Sequence, residues 1–398
     1  MSREIEVLLD KPMPPDLAAE IVKQAVYVST EITRIEIDRD KQRITAACES
    51  DDPSTAREKL ERFVASMVRG YRPIESRRAG ATRRRDRGAY HPDAHAELCR
   101  RRWVIELGQG QVALSGPALA AASVIDETIA RIGREQFGAH DVRYPTLIPA
   151  EALARCGYVD SFPQNLTMVA HLTEDFDAIE QFRQANMRRE SIAIPKVEAL
   201  SLIKACFCPA LCYHCYPTLR GTRLGGGGHV ETASGRLARY ESSNIKGLDR
   251  LWEFSQRSII WLGGETFCLE HRDRALSAAL SLAEEWDIDC SVETANDPFF
   301  ASIATAKSFW QRSQDLKLEM LPALAPPDSS SYRTVAASSF NLHGTFFGTA
   351  FDILDTDDKP ACSGCASWGI ERWVLVLFTQ HGFEPNRWPA ALRQSIFS

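Results

Sequence analysis

Arg239-Tyr-Glu241 is followed by Arg250-Leu251-Trp-Glu-Phe254 and, far downstream, by Gly369-Ile-Glu-Arg372. Side chains alternate along a strand with period two, so Arg239 and Glu241 share a face. A turn and a second strand, Phe254 to Gly263, would return Arg250 and Arg257 towards that face. Gly369-x-Glu-Arg372 then opens an apolar run, Trp373-Val-Leu-Val-Leu-Phe378, expected to be helical. Planar guanidinium forks set at both ends of an antiparallel sheet can clamp a nucleoside triphosphate without a Gly-rich loop. Arg239 and Glu241 alone would fit a solvated surface ion pair; the ordered set is what points to a nucleotide clamp.

The elements that must position these residues follow from patterning. Val104 to Leu114 reads as a hairpin around Gly108-Gln-Gly110, Ser115 to Phe137 as a long helix, and Asp141 to Pro149 as a strand ending in prolines. Strands and helices then alternate irregularly, without the β-α-β rhythm of a parallel sheet and without GxGxxG or GxxxxGK[ST]. The four glycines Gly225 to Gly228 lack a following Lys-Ser/Thr helix and read as a hairpin tip rather than a phosphate cradle. Upstream, residues 3–9 alternate as a strand, and Asp16 to Ser29 carries a helical stripe of Leu17, Ile21, Val22, Ala25 and Val26. Ile32 to Ile37 and Arg43 to Cys48 form a hairpin around Asp38-Arg-Asp-Lys-Gln. Ser54 to Tyr71 is a second amphipathic helix with Leu60, Phe63, Val64 and Val68 on its stripe. The fold class is therefore α+β: an antiparallel sheet flanked by helices, preceded by a small N-terminal α+β domain. The expected division is 1–76 for that domain, 77–102 for an exposed Arg-rich link, and 103–398 for a catalytic domain.

The 398 residues suffice for more than one domain. No run of about 18 apolar residues exists, which excludes a transmembrane helix. The first residues read as a strand, with neither signal nor transit character. Eleven cysteines without a secretory signal argue for thiols in a reducing cytoplasm. A net charge of −6 gives no global argument for binding polyanions. Locally, Arg77, Arg78, Arg83, Arg84, Arg85, Arg87, Arg100, Arg101 and Arg102 crowd one stretch. It reads either as a solvated link or as a contact for phosphate, on RNA or on an acidic protein surface.

The order and spacing of the arginine-bearing segments resemble the second and third signature motifs of class II aminoacyl-tRNA synthetases. A closer resemblance, to the amino acid:[carrier protein] ligases related to atypical archaeal seryl-tRNA synthetases, rests on an ordered series. It comprises Tyr144-Pro-Thr-Leu-Ile-Pro149, Gly157-Tyr-Val-Asp-Ser-Phe-Pro163, Pro209-Ala-Leu-Cys212-Tyr-His-Cys-Tyr-Pro217 and the Arg239–Gly263 block. Downstream of these stand Ala295-Asn-Asp-Pro-Phe-Phe300, Leu316-Lys-Leu-Glu319, Ser339-Phe-Asn-Leu-His343, Phe347-Gly348 and Gly364-Cys365-x-x-x-Gly-Ile-Glu-Arg372.

The resemblance implies activation of an amino acid with ATP and Mg2+, then transfer to the phosphopantetheine thiol of a carrier protein. It implies that Arg239 grips the α-phosphate and substrate carboxylate, and that Glu241 orients the adenine amino group. Arg250 would reach the outer phosphates with Leu251 beside the nucleotide, and Arg372 would stack on adenine and pair with the γ-phosphate. Ser339 and Asn341 would contact the adenylate; Lys317, Ser258 and His343 would line the substrate pocket. The helix Ser115 to Phe137 and the following strand correspond to the dimerising motif, so a homodimer is expected.

The resemblance also implies zinc held by Cys, Glu and Cys. Cys212 and Cys365 occupy the cysteine positions, whereas Ser258 stands at the glutamate position, and a hydroxyl is a poor zinc ligand. Three outcomes are open. Hydrogen bonds replace zinc; Cys215, Cys362, His214 or Glu253 completes the set; or the pocket has drifted to another substrate. Cys212-x-x-Cys215 with Cys362-x-x-Cys365 also has the spacing of a four-cysteine site, but residues three apart on a strand face opposite ways. Among His214, His343 and His381, His343 is the candidate for a functional role, since an ionised carboxylate nucleophile needs no general base. Cys206 and Cys208 read as small packing residues. Two functional classes remain: a ligase that loads a carrier protein, and a synthetase-like protein that aminoacylates or binds RNA.

Overall fold

The computed structural model describes residues 3–38, 42–73, 76–85, 90–189, 191–193, 200–297, 299–300, 307–309 and 311–397. Strands β1 (Arg3–Leu8), β2 (Ile32–Asp38) and β3 (Arg43–Cys48) make an antiparallel sheet in the order β1-β3-β2. Ile44, Ala46 and Cys48 alternate on the buried face of β3 and meet helices Pro15–Gln24 and Ser54–Gly70. The second helix buries Ala56, Leu60, Val64 and Met67, a stripe rotated from the expected one, so that Val68 is 48% exposed. Val22 of the first helix is likewise exposed.

The stretch read as an Arg-rich link is in part folded into the large sheet. Arg78–Thr82 forms β4, the edge strand of an eight-stranded sheet, antiparallel to β13 (Cys290–Thr294). Its arginines meet acids remote in sequence. Arg77 reaches Asp315 at 2.7 Å and Arg78 reaches Glu293 at 3.6 Å. The Arg84 guanidinium is buried 3.6 Å from Asp287, while the Arg84 and Arg85 amides donate to Asp289 and Asp287. Arg100 and Arg101 share Glu97, each at 2.6 Å. Arg77, Arg78, Arg84, Arg100 and Arg101 are thus ion-paired within the fold; Arg87 lies outside the described residues.

Chain order then gives the hairpin β5 (Val104–Gly108) and β6 (Gln111–Leu114), and β7 (His140–Arg143) after the long helix Gly116–Phe137. A small sheet follows, from β8 (Leu147–Pro149), β9 (Met168–Val169) and β10 (Ala205–Phe207). The large sheet is completed by β11 (His229–Ala238), β12 (Glu253–Gly263), β14 (Lys317–Pro322), β15 (Ser338–Gly344) and β16 (Cys362–Gly369). Its order is β4-β13-β14-β15-β16-β12-β11-β7, antiparallel throughout except for the parallel β11–β7 pair at one edge. The four glycines close a turn before β11 through the Gly228 amide and the Gly225 carbonyl.

Alternation on the strands separates two cores. Ile259, Trp261, Leu318, Met320, Phe340, Ala366 and Trp368 face the helices Gly116–Phe137, Glu265–Glu285 and Ile370–His381. Ile260, Leu262 and Cys365 face the other way, under the helix Cys212–Thr218 and the small sheet. Helix Ile370–His381 is apolar nearly all round because it is buried all round. Arg257 lies on the helical side: Nε and Nη2 donate to the two oxygens of Asp126, both at 2.8 Å. Its expected place beside Arg239 is therefore corrected by the parity of β12. Gly364 is required where β16 passes between Asn341 and Trp261, since a Cβ would stand 2.6 Å from the Asn341 carbonyl oxygen and 2.5 Å from the indole nitrogen.

His381 ends the central helix fully buried against Trp388. Burial, helped by Arg84, pushes its pKa down to about 3. An unfolded histidine titrates near 6.5, so below that pH the unfolded chain takes up a proton that the folded chain refuses. This contribution to stability is complete above pH 6.5 and is lost as the pH falls towards 3. Between pH 7.5 and pH 5 the loss is expected to be about 2 kcal/mol. Urea denaturation of wild type and His381→Gln at both pH values measures it as the difference between their pH dependences, and equal dependences would contradict it.

Candidate active site

A cavity of about 420 Å³ opens on the non-helical face of the large sheet. β14, β15 and β16 supply its floor with Lys317, Glu319, Ser339, Asn341, His343, Cys365 and Ser367. Each of these strands presents alternate residues, so i and i+2 positions converge on one face. Arg239 and Glu241 follow the end of β11, and Arg372 opens the central helix; all three line the same cavity.

Arg239 donates from Nε to the Pro209 carbonyl at 2.7 Å, with its guanidinium 5.4 Å from the Phe254 ring centroid. Arg372 donates to the carbonyls of Asp249 and Ala336, both at 2.7 Å. Burial and the neighbouring Arg250 lower its pKa. Two half-buried guanidinium groups thus face one cleft, whose lining also carries Lys307 and Lys317 against the carboxylates of Glu241, Asp297, Glu319 and Glu371. Arg250 is ion-paired with Glu241. It stands at the rim beyond the residues that line the cavity, while Leu251 lines it directly. The N-terminal domain abuts this loop: Tyr27 donates to the Tyr240 carbonyl at 3.3 Å, and Asn244 donates to the Lys23 carbonyl at 2.9 Å.

Lys317 is buried and donates to Asp297 at 2.5 Å and Glu319 at 2.9 Å. Burial pulls its pKa down, but the two carboxylates outweigh it and hold the ammonium above its ordinary value. Burial raises Asp297 while Lys317 and Gln311 outweigh that, so its carboxyl stays ionised below the usual range. Asp297, Glu319 and Gln311 were missed as site residues. The signal was present, because Glu319 is two residues from Lys317 on one strand and Asp297 lies in the Ala295–Phe300 block.

Ser258 is corrected: it is fully buried behind the cavity wall and does not line it. Its hydroxyl is 2.8 Å from Ser367 Oγ and 3.3 Å from Gln256 Oε1, and those two residues form the wall. Cys212 and Cys365 do meet at the cavity as a hydrogen-bonded pair. The bond from Cys212, against the cost of burial, favours the Cys365 thiolate, and His343 and Asn341 add to it; Cys212 is correspondingly raised. Asn341 Nδ2 is 3.4 Å and His343 Nε2 3.9 Å from the Cys365 sulfur. Tyr216 and Ser363 hold His343 Nδ1 at 3.1 and 3.2 Å.

The Cys–Glu–Cys zinc set implied by the resemblance does not fit these residues. Ser258 is engaged elsewhere. Among the described residues, the groups of three metal-binding side chains whose ligand atoms lie within 4.8 Å are His95–Cys99–Glu106 and Cys215–His229–Glu231. Neither contains Cys212 or Cys365. The four-cysteine arrangement fails for a different reason from the one expected: Cys212 and Cys215 lie on a helix, Cys215 beside Glu231, while Cys362 lies beside Cys268. Glu253 is paired with Arg236 at 2.6 Å, and His214 stacks on Tyr144 at 5.0 Å.

An eight-stranded, largely antiparallel sheet carrying such a cleft is the catalytic fold of class II aminoacyl-tRNA synthetases. The chain superimposes on a seryl-tRNA synthetase from M. kandleri, solved with A. aeolicus tRNASec, with a TM-score of 0.71, covering 99% of this chain and 77% of that one at 22% identity. A cytoplasmic serine-tRNA ligase from Naegleria fowleri in complex with AMP gives a TM-score of 0.60 at 9% identity, over 85% of this chain and 72% of that one. In sequence, the chain is 30% identical to amino acid–[acyl-carrier-protein] ligase 1 of Bradyrhizobium diazoefficiens over 69% of its own length and 82% of that protein. It is 27% identical to the type-2 serine–tRNA ligase of Methanocaldococcus jannaschii over 74% of its length, but spans only 57% of that relative. No protein-family model matches. The chain belongs to the amino acid–[acyl-carrier-protein] ligase family of class II synthetase-like ligases. Among the described residues no helix is long and apolar enough to cross a membrane.

Proposed function

We propose that this cleft joins an amino acid to AMP and then passes the aminoacyl group to the phosphopantetheine thiol of a carrier protein. In the first step a carboxylate oxygen attacks the α-phosphorus of ATP, the bond to the bridging oxygen breaks, and pyrophosphate leaves. In the second the thiol sulfur attacks the acyl carbon, AMP leaves with the bonding pair, and the thiol proton passes to solvent. The carboxylate is already a nucleophile, so alignment and charge stabilisation do most of the catalysis.

Arg239 neutralises the α-phosphate and aligns the carboxylate, Glu241 receives the adenine amino group, and Arg372 covers the base. Arg250, released from Glu241, reaches the outer phosphates, where a bound Mg2+ would supply further neutralising charge. Leu251, Ser339 and Asn341 border the adenylate. Lys317, His343, Cys212 and Cys365 border the amino acid, whose ammonium group hydrogen bonds hold in place of a metal. The observation that carries this reading is that Arg239 and Arg372 line one cavity with the Lys317 cluster. The carrier-protein acceptor is favoured by the relatives of that activity at 30% identity, of which the chain spans 82% and 84%.

Incubation with ATP, a labelled amino acid and holo-carrier protein should yield a hydroxylamine-labile thioester. The product should be absent with apo-carrier protein and unaffected by ribonuclease. The second reading, aminoacylation or binding of RNA, is favoured by the near-complete superposition on a tRNA-bound synthetase, N-terminal domain included. Label transferred to tRNA instead would establish it. The homodimer expected from the helix Gly116–Phe137 and β7 should elute from gel filtration at twice the chain mass; a monomer at micromolar concentration would refute it.

A further inference from the structure

Cys215, His229 and Glu231 are not used by the proposed reaction, yet they form a built cluster behind the cavity. Cys215 sits on the helix Cys212–Thr218, one turn beyond Cys212, and is fully buried. His229 and Glu231 are two residues apart at the start of β11 and therefore share the face beneath that helix. Their ligand atoms and the Cys215 sulfur lie within 4.8 Å of one another. Glu231 is only 2% exposed, and among the described residues its ion-pair partner is His229, with Nε2 3.0 Å from Oε2. The Tyr144 hydroxyl donates to the other carboxylate oxygen at 2.8 Å, leaving Oε2 to the histidine.

We propose that Cys215, His229 and Glu231 bind one zinc ion that fastens the helix Cys212–Thr218 to the start of β11. One sulfur, one imidazole nitrogen and one carboxylate oxygen are a donor set suited to zinc. Bond lengths of about 2.0–2.3 Å put tetrahedral neighbours roughly 3.3–3.8 Å apart, so small side-chain adjustments close the cluster around an ion. Tyr144 supplies the outer hydrogen bond that orients a ligating carboxylate. Among the described residues no lysine or arginine forms an ion pair with this buried carboxylate, and a zinc ion would supply the compensating charge. His229 is 23% exposed in its side chain, which leaves an approach for the ion and a fourth position for water. The site is distinct from the Cys212–Cys365 pair, and it does not depend on the proposed reaction. Its physical effect is to hold in place the helix whose Cys212 and Tyr213 wall the cavity, against the strand that delivers Arg239.

The test is zinc and cobalt(II) titration of full-length protein stripped by chelator dialysis, with elemental analysis of protein never exposed to chelator. The expected result is one zinc per chain, a cobalt–thiolate charge-transfer band, and a Tm raised by zinc. All three should persist in the Cys212→Ser/Cys365→Ser double variant. Glu231→Gln, nearly isosteric, and His229→Ala should each bind zinc at least 100-fold more weakly, with circular dichroism reporting whether each remains folded. Wild-type protein without zinc would overturn the proposal. So would zinc that is lost in the double variant or retained at full affinity in Glu231→Gln.

Discussion

Replacing Arg239 with alanine is expected to lower amino-acid-dependent ATP–pyrophosphate exchange by roughly 10²–10³-fold or more, the usual effect of removing a preorganised charge from a developing oxyanion. The side chain is half-buried after the end of β11, where its structural work is one hydrogen bond to the Pro209 carbonyl and a contact with Phe254. The far-UV circular dichroism spectrum and the urea midpoint should therefore stay close to wild type. Lysine in its place restores the charge but not the planar fork, and should recover only part of the rate. Exchange near the wild-type rate in folded Arg239→Ala would remove Arg239 from the nucleotide site.

The second large effect falls on stability. Lys317→Met keeps the length of the side chain but leaves Asp297 and Glu319 facing each other without the ammonium between them. Breaking a buried pair by removing one partner costs about 3–5 kcal/mol. The Lys317 side chain is 9% exposed, whereas Asp297 and Glu319 are 33% and 23% exposed, so water offsets part of the loss and the lower end of that range is expected. The sign with pH is informative. In wild type the ion pair is weakened as Asp297 is protonated. In the variant, two like charges raise the carboxyl pKa above its unfolded value, so protonation on folding is favoured and the deficit shrinks as pH falls. Urea denaturation at pH 7.5 and pH 5 measures both. A deficit under about 1 kcal/mol at pH 7.5, outside the range for broken buried pairs, would show that the cluster does not support the sheet.

The parts of this site that could be read from sequence are those fixed by strand parity and by element ends. Ser339, Asn341 and His343 alternate on β15 and line the cavity together, and Arg239 and Arg372 mark the end of one strand and the start of one helix. Parity also explains two failures. Ser258 is on the correct face, but Gln256 and Ser367 close in front of it; Arg257, one residue away, must point to Asp126 behind the sheet. Which acids would neutralise Arg77, Arg78 and Arg84 was not legible, because Asp315, Glu293 and Asp287 come together with them only when β4 joins the sheet edge. The zinc-like cluster escaped for a related reason. Cys215 was read on a strand, and only a helix crossing the face of β11 sets its sulfur over His229 and Glu231. Asp297 and Glu319 needed a different question: which anions would surround a lysine once it was buried.

The most direct test of the account is ATP–pyrophosphate exchange by the purified chain, screened over the twenty amino acids with Mg2+. Exchange should be supported by one or a few amino acids and be silent without them. A folded chain for which no amino acid supports exchange would contradict it.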